Sequence, residues 1–141
     1  MMLTVEQARN KILKAVSVLP VERRHISNSQ GCILAQDIYA NENIPPFRNS
    51  AMDGFAVIAD DLQGASKDQP ATLSIVEVIP AGHAPQQALT SGQAAKIMTG
   101  AMLPEGADRV VMIEVTQSEE PRVQIYESVV KEKNVRFPGE S

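Results

Sequence analysis

The sequence is poor in aromatic rings and nearly free of cysteine. Of its 141 residues none is Trp, three are Phe, two are Tyr and one is Cys. A single thiol, Cys32, excludes an internal disulfide framework and an all-cysteine zinc site. His25 and His83 have no carboxylate or cysteine at ligand spacing, which argues against zinc altogether. No apolar run approaches the ~18 residues of a membrane span. Residues 1–14 alternate in charge and lack the apolar stretch of a signal peptide. Positive charge is scarce, with 13 Lys and Arg against 17 Asp and Glu and a formal charge of −4. A protein that neutralises nucleic-acid phosphates needs a dense cationic face, so that class is excluded. What remains is 43% hydrophobic residues, in a chain long enough to bury roughly 70% of its unfolded surface. The expectation is a soluble, cytoplasmic chain of one domain or two small ones, with no membrane and no nucleic-acid partner.

The pattern predicts one helix followed by short strands. Thr4 with Gln7 three residues on is a capping-box start. Ala8, Ile12, Val16 and Leu19 then share a helical face that should pack on something, and Pro20 should end the helix. Strands are expected at Cys32–Ala35 with Ile38–Tyr39, and at Phe55–Ile58, Thr72–Ile79, Ala94–Met98, Arg109–Ile113 and Arg122–Tyr126. Gln63–Gln69 and Ala84–Leu89 read as surface loops, and Gln117–Pro121 as a hairpin tip. The spacing favours a mainly antiparallel β architecture. The chain ends in a loop with no closing element, as a longer protein cut short would.

Two patches could carry chemistry. The first is Pro45–Val57, in which Asp53-Gly54 reads either as a type I′ hairpin turn or as a carboxylate on display. Arg48, Asn49 and Ser50 add donors that a hairpin does not require. The second is Lys96–Asp108, where Thr99-Gly100 ends a strand and Pro104-Glu105-Gly106 carries the chain to the next. Backbone amides in that loop could cradle an anion, or the loop could be structural; the Gly-Lys-Ser/Thr ending of a phosphate loop is absent. Asp60-Asp61 should be solvated, because adjacent side chains diverge on a strand. Glu114 faces a cleft or water. A triad drawn from Ser50, His83 and Asp53 lacks any nucleophile-elbow context.

Taken together, the two patches resemble the molybdenum insertase family, the MoeA proteins and the gephyrin E domain. Pro45-Pro46-Phe47-Arg48-Asn49-Ser50-Ala51-Met52-Asp53-Gly54-Phe55-Ala56-Val57 is similar to its first signature. Ile97-Met98-Thr99-Gly100-Ala101 with Pro104-Glu105-Gly106-Ala107-Asp108 and Val110-Val111 is similar to the second. Gly31–Asp37, Ala81-Gly82, Asn134-Val135-Arg136 and Gly139-Glu140 also match, so the likeness runs through nearly the whole chain. Arg48 stands where relatives often carry an acidic residue, and Ser141 where an Asp usually follows.

The resemblance implies a mainly β fold with α+β elements. A helix and small β-rich domain (1–40 and 129–141) would be interrupted by an inserted mixed α/β domain (41–128) carrying both loops. It implies a reaction, insertion of molybdate into adenylylated molybdopterin with Mg²⁺ and release of AMP, and a homodimer with a further pterin-binding domain. Under it Asp53 and Thr99 are the catalytic pair, Ser50 and Gly100 bind substrate, and Asp53 is the Mg²⁺ ligand. An upstream adenylyltransferase would be a partner. This piece alone should be inactive. The other reading is a non-catalytic scaffold or assembly module of the gephyrin type.

Overall fold

The computed structural model describes residues 2–128 and 131–140. Met1, Val129, Val130 and Ser141, part of the expected flanking region, lie outside the described residues. The chain divides into two units, one running to Tyr39 and the other starting at Ala40.

In the first unit, helix α1 spans Val5–Ala15. Thr4 accepts from the Gln7 amide and Gln7 returns a bond to the Thr4 amide, completing the expected capping box. The helix stops at Ala15, short of Pro20. Val16, Ser17 and Val18 are weak helix formers, and Val16 is already extended when the proline is still four residues away. None of its residues is buried, so the expected packing of its apolar face is not met. A 3-10 turn follows at Ile26–Asn28. The strand expected at 32–39 is absent, and Ile33 is 94% exposed. Strands need a hydrogen-bonded neighbour, and no ladder forms with this segment among the described residues.

The second unit is built on a six-stranded sheet. Its strands are β2 (Gly54–Val57), β3 (Ala71–Ile79), β4 (Gln93–Ile97), β5 (Arg109–Met112), β6 (Thr116–Glu119) and β7 (Arg122–Ile125). Their order across the sheet is β5-β2-β4-β3-β7-β6. A separate two-stranded ribbon pairs β1 (Asn49–Ser50) with β8 (Val135–Arg136). All pairings are antiparallel except β3 with β4. That parallel pair needs a long return, which residues 80–92 supply without a helix. The return is anchored, because Leu89 is buried and its amide donates to the Glu105 carbonyl at 2.8 Å. Mainly β with an N-terminal helix is thus the observed class. Among the described residues after Ala40, helical content is confined to 3-10 turns at Ala59–Leu62 and Ile113–Val115.

Apolar clusters cover both faces of the sheet. Ala56, Ala95, Ile97 and Val110 join Ile79, Leu89 and Leu103 in one. Phe55, Val57, Ala94 and Val111 join Leu62, Leu73, Val123 and Ile125 in the other. Alternation along β2 sends side chains to each cluster in turn, and all four of its residues are buried. The Asp53-Gly54 hairpin is therefore wrong. Gly54 is outside the left-handed region and opens β2, whose partners are β4 and β5 rather than the chain just before it. Its glycine is required by proximity instead. A Cβ at Gly54 would overlap the Val111 carbonyl oxygen.

Among the described residues one charge is wholly buried, and nothing in the sequence pattern marks it. Arg109 on β5 has 0% exposure. Its Nη1 donates to the Ser128 carbonyl at 2.6 Å, and its Nη2 lies 2.9 Å from Glu127 Oε2. Nε finds no acceptor among the described residues. Lys133 reaches the other oxygen of Glu127. Bonding to Lys133, with the nearby Arg109 charge, holds the Glu127 carboxyl below its ordinary value despite partial burial. This knot ties the segment after β7 back to the sheet.

Two outcomes are expected in urea unfolding. Gly54→Ala should cost about 3 kcal/mol through overpacking against backbone. Gly100→Ala, where the backbone is left-handed but the space is open, should cost about 1 kcal/mol. A third concerns acid. The folded-state pKa of Glu127 is lowered, so its stabilising share is present above the ordinary carboxylate value and lost as pH falls through the folded one. Glu127→Gln should remove that share and flatten the stability profile at acid pH.

Candidate functional site

The two signature loops meet at one end of the sheet. The first enters β2 through Asp53, and the second leaves β4 through Met98-Thr99-Gly100. Because Gly54 and Ile97 are register partners, Asp53 and the start of the second loop are set side by side. Asp53 Oδ1 accepts from both the Thr99 amide and the Thr99 hydroxyl, each at 2.7 Å. Oδ2 has no bond within the described residues. The two residues expected from the resemblance are thus joined directly.

Behind them the loops are laced by backbone bonds. Gly100 donates to the Ser50 carbonyl at 2.8 Å, and Ser50 donates to Ala101 at 3.0 Å. Leu103 donates to the Arg48 carbonyl at 2.9 Å. Ser50 is 1% exposed, and its hydroxyl donates to the Met52 carbonyl while accepting from the Met52 amide. Gly100 has φ of 82°, which lets the turn close without strain. Arg48 Nη2 donates to the Ala107 carbonyl at 3.2 Å, and its guanidinium lies over the Phe137 ring at 5.6 Å.

This lacing decides what the second loop can do. The amides of Thr99, Gly100, Ala101, Leu103, Ala107 and Asp108 all donate within the protein. The anion cradle considered for the loop is therefore ruled out at those positions. The Thr99 hydroxyl proton is also engaged, leaving a lone pair rather than a donor. The available group is the carboxylate. Exposed, Asp53 is ionised at neutral pH, and the Thr99 amide first and hydroxyl second hold it below the ordinary Asp value.

An ionised, exposed carboxylate with one oxygen pinned presents the other in a defined direction. It can hold the water shell of a cation or accept a proton-bearing group. Among the described residues no three His, Cys, Asp or Glu side chains cluster as a metal cage. One free oxygen fits a hydrated Mg²⁺ shared with a phosphate, which keeps most of its waters. It does not fit an all-protein cage.

Other candidates fall away. Asp61 is occupied by the Ser91 hydroxyl at 2.6 Å and the Gly92 amide at 2.9 Å, while Asp60 faces Lys131. Ser50 and Asp53 share no bond with His83, whose Nδ1 lies 3.3 Å from the Ala81 carbonyl. Glu114 is exposed, in the turn that follows β5. A cleft lined by Asn41, Glu42, Asn43, Ile44, Pro46 and Gly139 contains neither Asp53 nor Thr99. Both residues of the pair are exposed. The sequence reading also missed Arg48 and Asn134 as anchors of these loops, although the donor-rich run at Arg48–Ser50 pointed at the first.

The linkage can be checked by NMR. The Thr99 amide shift should follow the Asp53 titration, with a midpoint below the ordinary Asp value of ~3.9. Thr99→Val removes the hydroxyl bond and should move that midpoint upward. A midpoint unchanged by the substitution would contradict the bonding described.

Comparison with known proteins matches the chain to a family. The model of the MoeA N-terminal region (domain I and II) matches residues 3–141. The chain is 40% identical over 142 residues to the molybdopterin molybdenumtransferase of Haemophilus influenzae, covering 99% of this chain and 34% of that one. It is 36% identical over 138 residues to the protein of the same name from Staphylococcus epidermidis, covering 98% and 33%. Among solved structures, a molybdopterin biosynthesis MoeA protein from Pyrococcus horikoshii superposes with a TM-score of 0.74 at 34% identity, over 92% of this chain and 34% of that one. The chain spans about a third of the length of these relatives. The match includes both loops that meet at Asp53 and Thr99, and the chain belongs to the MoeA N-terminal region family.

Proposed function

We propose that the chain is the N-terminal region of a molybdopterin molybdenumtransferase acting in molybdenum cofactor biosynthesis. In that reading the whole protein inserts molybdate into adenylylated molybdopterin and releases AMP. The relatives that match nearly all of the chain carry that name. The observation that carries the role of this region is the bonded pair of Asp53 and Thr99, with one carboxylate oxygen left free.

Each residue then has a task. Asp53 presents Oδ2 toward the reacting groups and stays ionised at working pH. A bound Mg²⁺ would supply charge neutralisation at the phosphate, with Asp53 holding its water shell. Thr99 orients the carboxylate through Oδ1. Of the two residues expected to bind substrate, Ser50 has its buried hydroxyl and Gly100 its amide bonded within the protein. In this proposal any substrate contact falls to the exposed face of Gly100, and the pair sets the turn through the bond from the Gly100 amide to the Ser50 carbonyl. The pterin-binding part, a homodimeric partner and a cytoplasmic setting belong to the same proposal, as does an upstream adenylyltransferase that supplies the substrate. So does the allocation of 1–40 with 129–141 to one domain and 41–128 to another. By itself the chain is not expected to turn over. The scaffold reading is not favoured, because the relatives that match nearly all of the chain are named as transferases.

In the full-length protein, Asp53→Asn should lower the rate of molybdenum insertion by about a hundredfold while leaving the far-UV spectrum unchanged. Thr99→Val should lower it by about tenfold, since it acts through Asp53. Full activity in the Asp53 variant would overturn the proposal.

A further inference from the structure

We infer that Asn134 is a positioning residue for the Asp53 loop, clamping it to strand β5 from the far end of the sequence. The inference rests on the reading of Asp53 as the site's carboxylate. Asn134 has φ of 59°, a left-handed conformation that Asn tolerates better than most side chains. Its Nδ2 donates to the Val110 carbonyl at 2.9 Å, and the Val110 amide donates to Lys133 at 3.1 Å. Residues 133 and 134 thereby occupy both backbone groups of Val110. The Asn134 carbonyl then accepts from the Ala51 amide at 2.9 Å, two residues before Asp53.

The next two residues continue the grip, with Val135 and Arg136 opposite Ser50 and Asn49 in the β1–β8 ribbon. Ser50 holds Gly100, and Thr99 holds Asp53. An unbroken series of bonds therefore runs from Val110 through Asn134 to both signature loops. β5 is itself paired to β2, with Val110 opposite Ala56. The loop is thus held at two points of one rigid frame, directly through Gly54 and indirectly through Asn134. The left-handed backbone turns the Asn134 carbonyl toward Ala51 while its side chain points back to β5. A residue lacking the amide would keep one hold and lose the other.

Amide hydrogen exchange on this chain separates positioning from general support. Asn134→Gly keeps the backbone conformation without steric cost and removes only the side-chain donor. Asn134→Asp tolerates the same backbone, and when ionised cannot donate. In both variants exchange at Ala51, Thr99 and Gly100 should rise about tenfold, with Leu73 and Val123 in the sheet unchanged. A rise shared by all five amides would make Asn134 a structural residue only, and no rise at the loops would remove it from the site. In the full-length protein Asn134→Gly should lower kcat about tenfold with KM unmoved. An unmoved kcat, alongside an inactive Asp53→Asn, would overturn the inference. A fully active Asp53→Asn would overturn the functional reading instead, and leave the exchange result standing.

Discussion

Strand β2 has both faces buried and both edges paired, and that confinement sets the geometry around it. Its Phe55 and Val57 fill one core cluster and Ala56 the other. β4 and β5 flank it closely enough that Gly54 has no room for a side chain against the Val111 carbonyl. A strand so enclosed cannot slip register without moving apolar residues into the wrong layer. The residue at its head is therefore delivered to a fixed place. That residue is Asp53, beside the turn that leaves β4. Thr99 meets it there with an amide and a hydroxyl.

Two polar arrangements do different work in this unit. Arg109, Glu127 and Lys133 join the segment after β7 to the sheet around a fully buried guanidinium. A charge in that position is costly unless paired, so this cluster bears on stability. Asp53 with Thr99 sits in solvent, where such bonds contribute little to the folding free energy. Its consequence is orientation. Evidence for a site lies in that contrast: polar bonding has been placed where it does little for the fold. Asn134 connects the two, since Val110, which it grips, follows Arg109 directly.

Much of the architecture was readable from the residues. The capping box and five of the six predicted strand regions left local signals in apolar spacing and turn chemistry. The tip expected at Gln117–Pro121 narrows to residues 120 and 121, because Gln117–Glu119 pair with β7 as part of β6. What escaped was decided by contacts distant in sequence. Cys32–Tyr39 has strand-like composition but no neighbour to pair with among the described residues. Asp53-Gly54 has hairpin composition, yet its partners come from residues 94–97 and 109–112. The parallel pairing of β3 with β4 left no trace in either strand. Asp53 and Thr99 were named through likeness to a family, and no spacing rule would have joined them. Their direct bond, and the internal use of the second loop's amides, arise from contacts distant in sequence. Arg109 read as an ordinary strand end because burial of a charge is visible only once its partners are placed.

In the proposed reaction Asp53 Oδ2 faces the reacting groups and holds the water shell of their cation. Paramagnetic broadening by Mn²⁺, in the full-length protein with adenylylated molybdopterin bound, tests it most directly. Amide signals of Met52–Gly54 and Met98–Gly100 should broaden in the native protein and recover in Asp53→Asn. Broadening at those amides that persists unchanged in the variant, or that falls elsewhere in the chain, would contradict it.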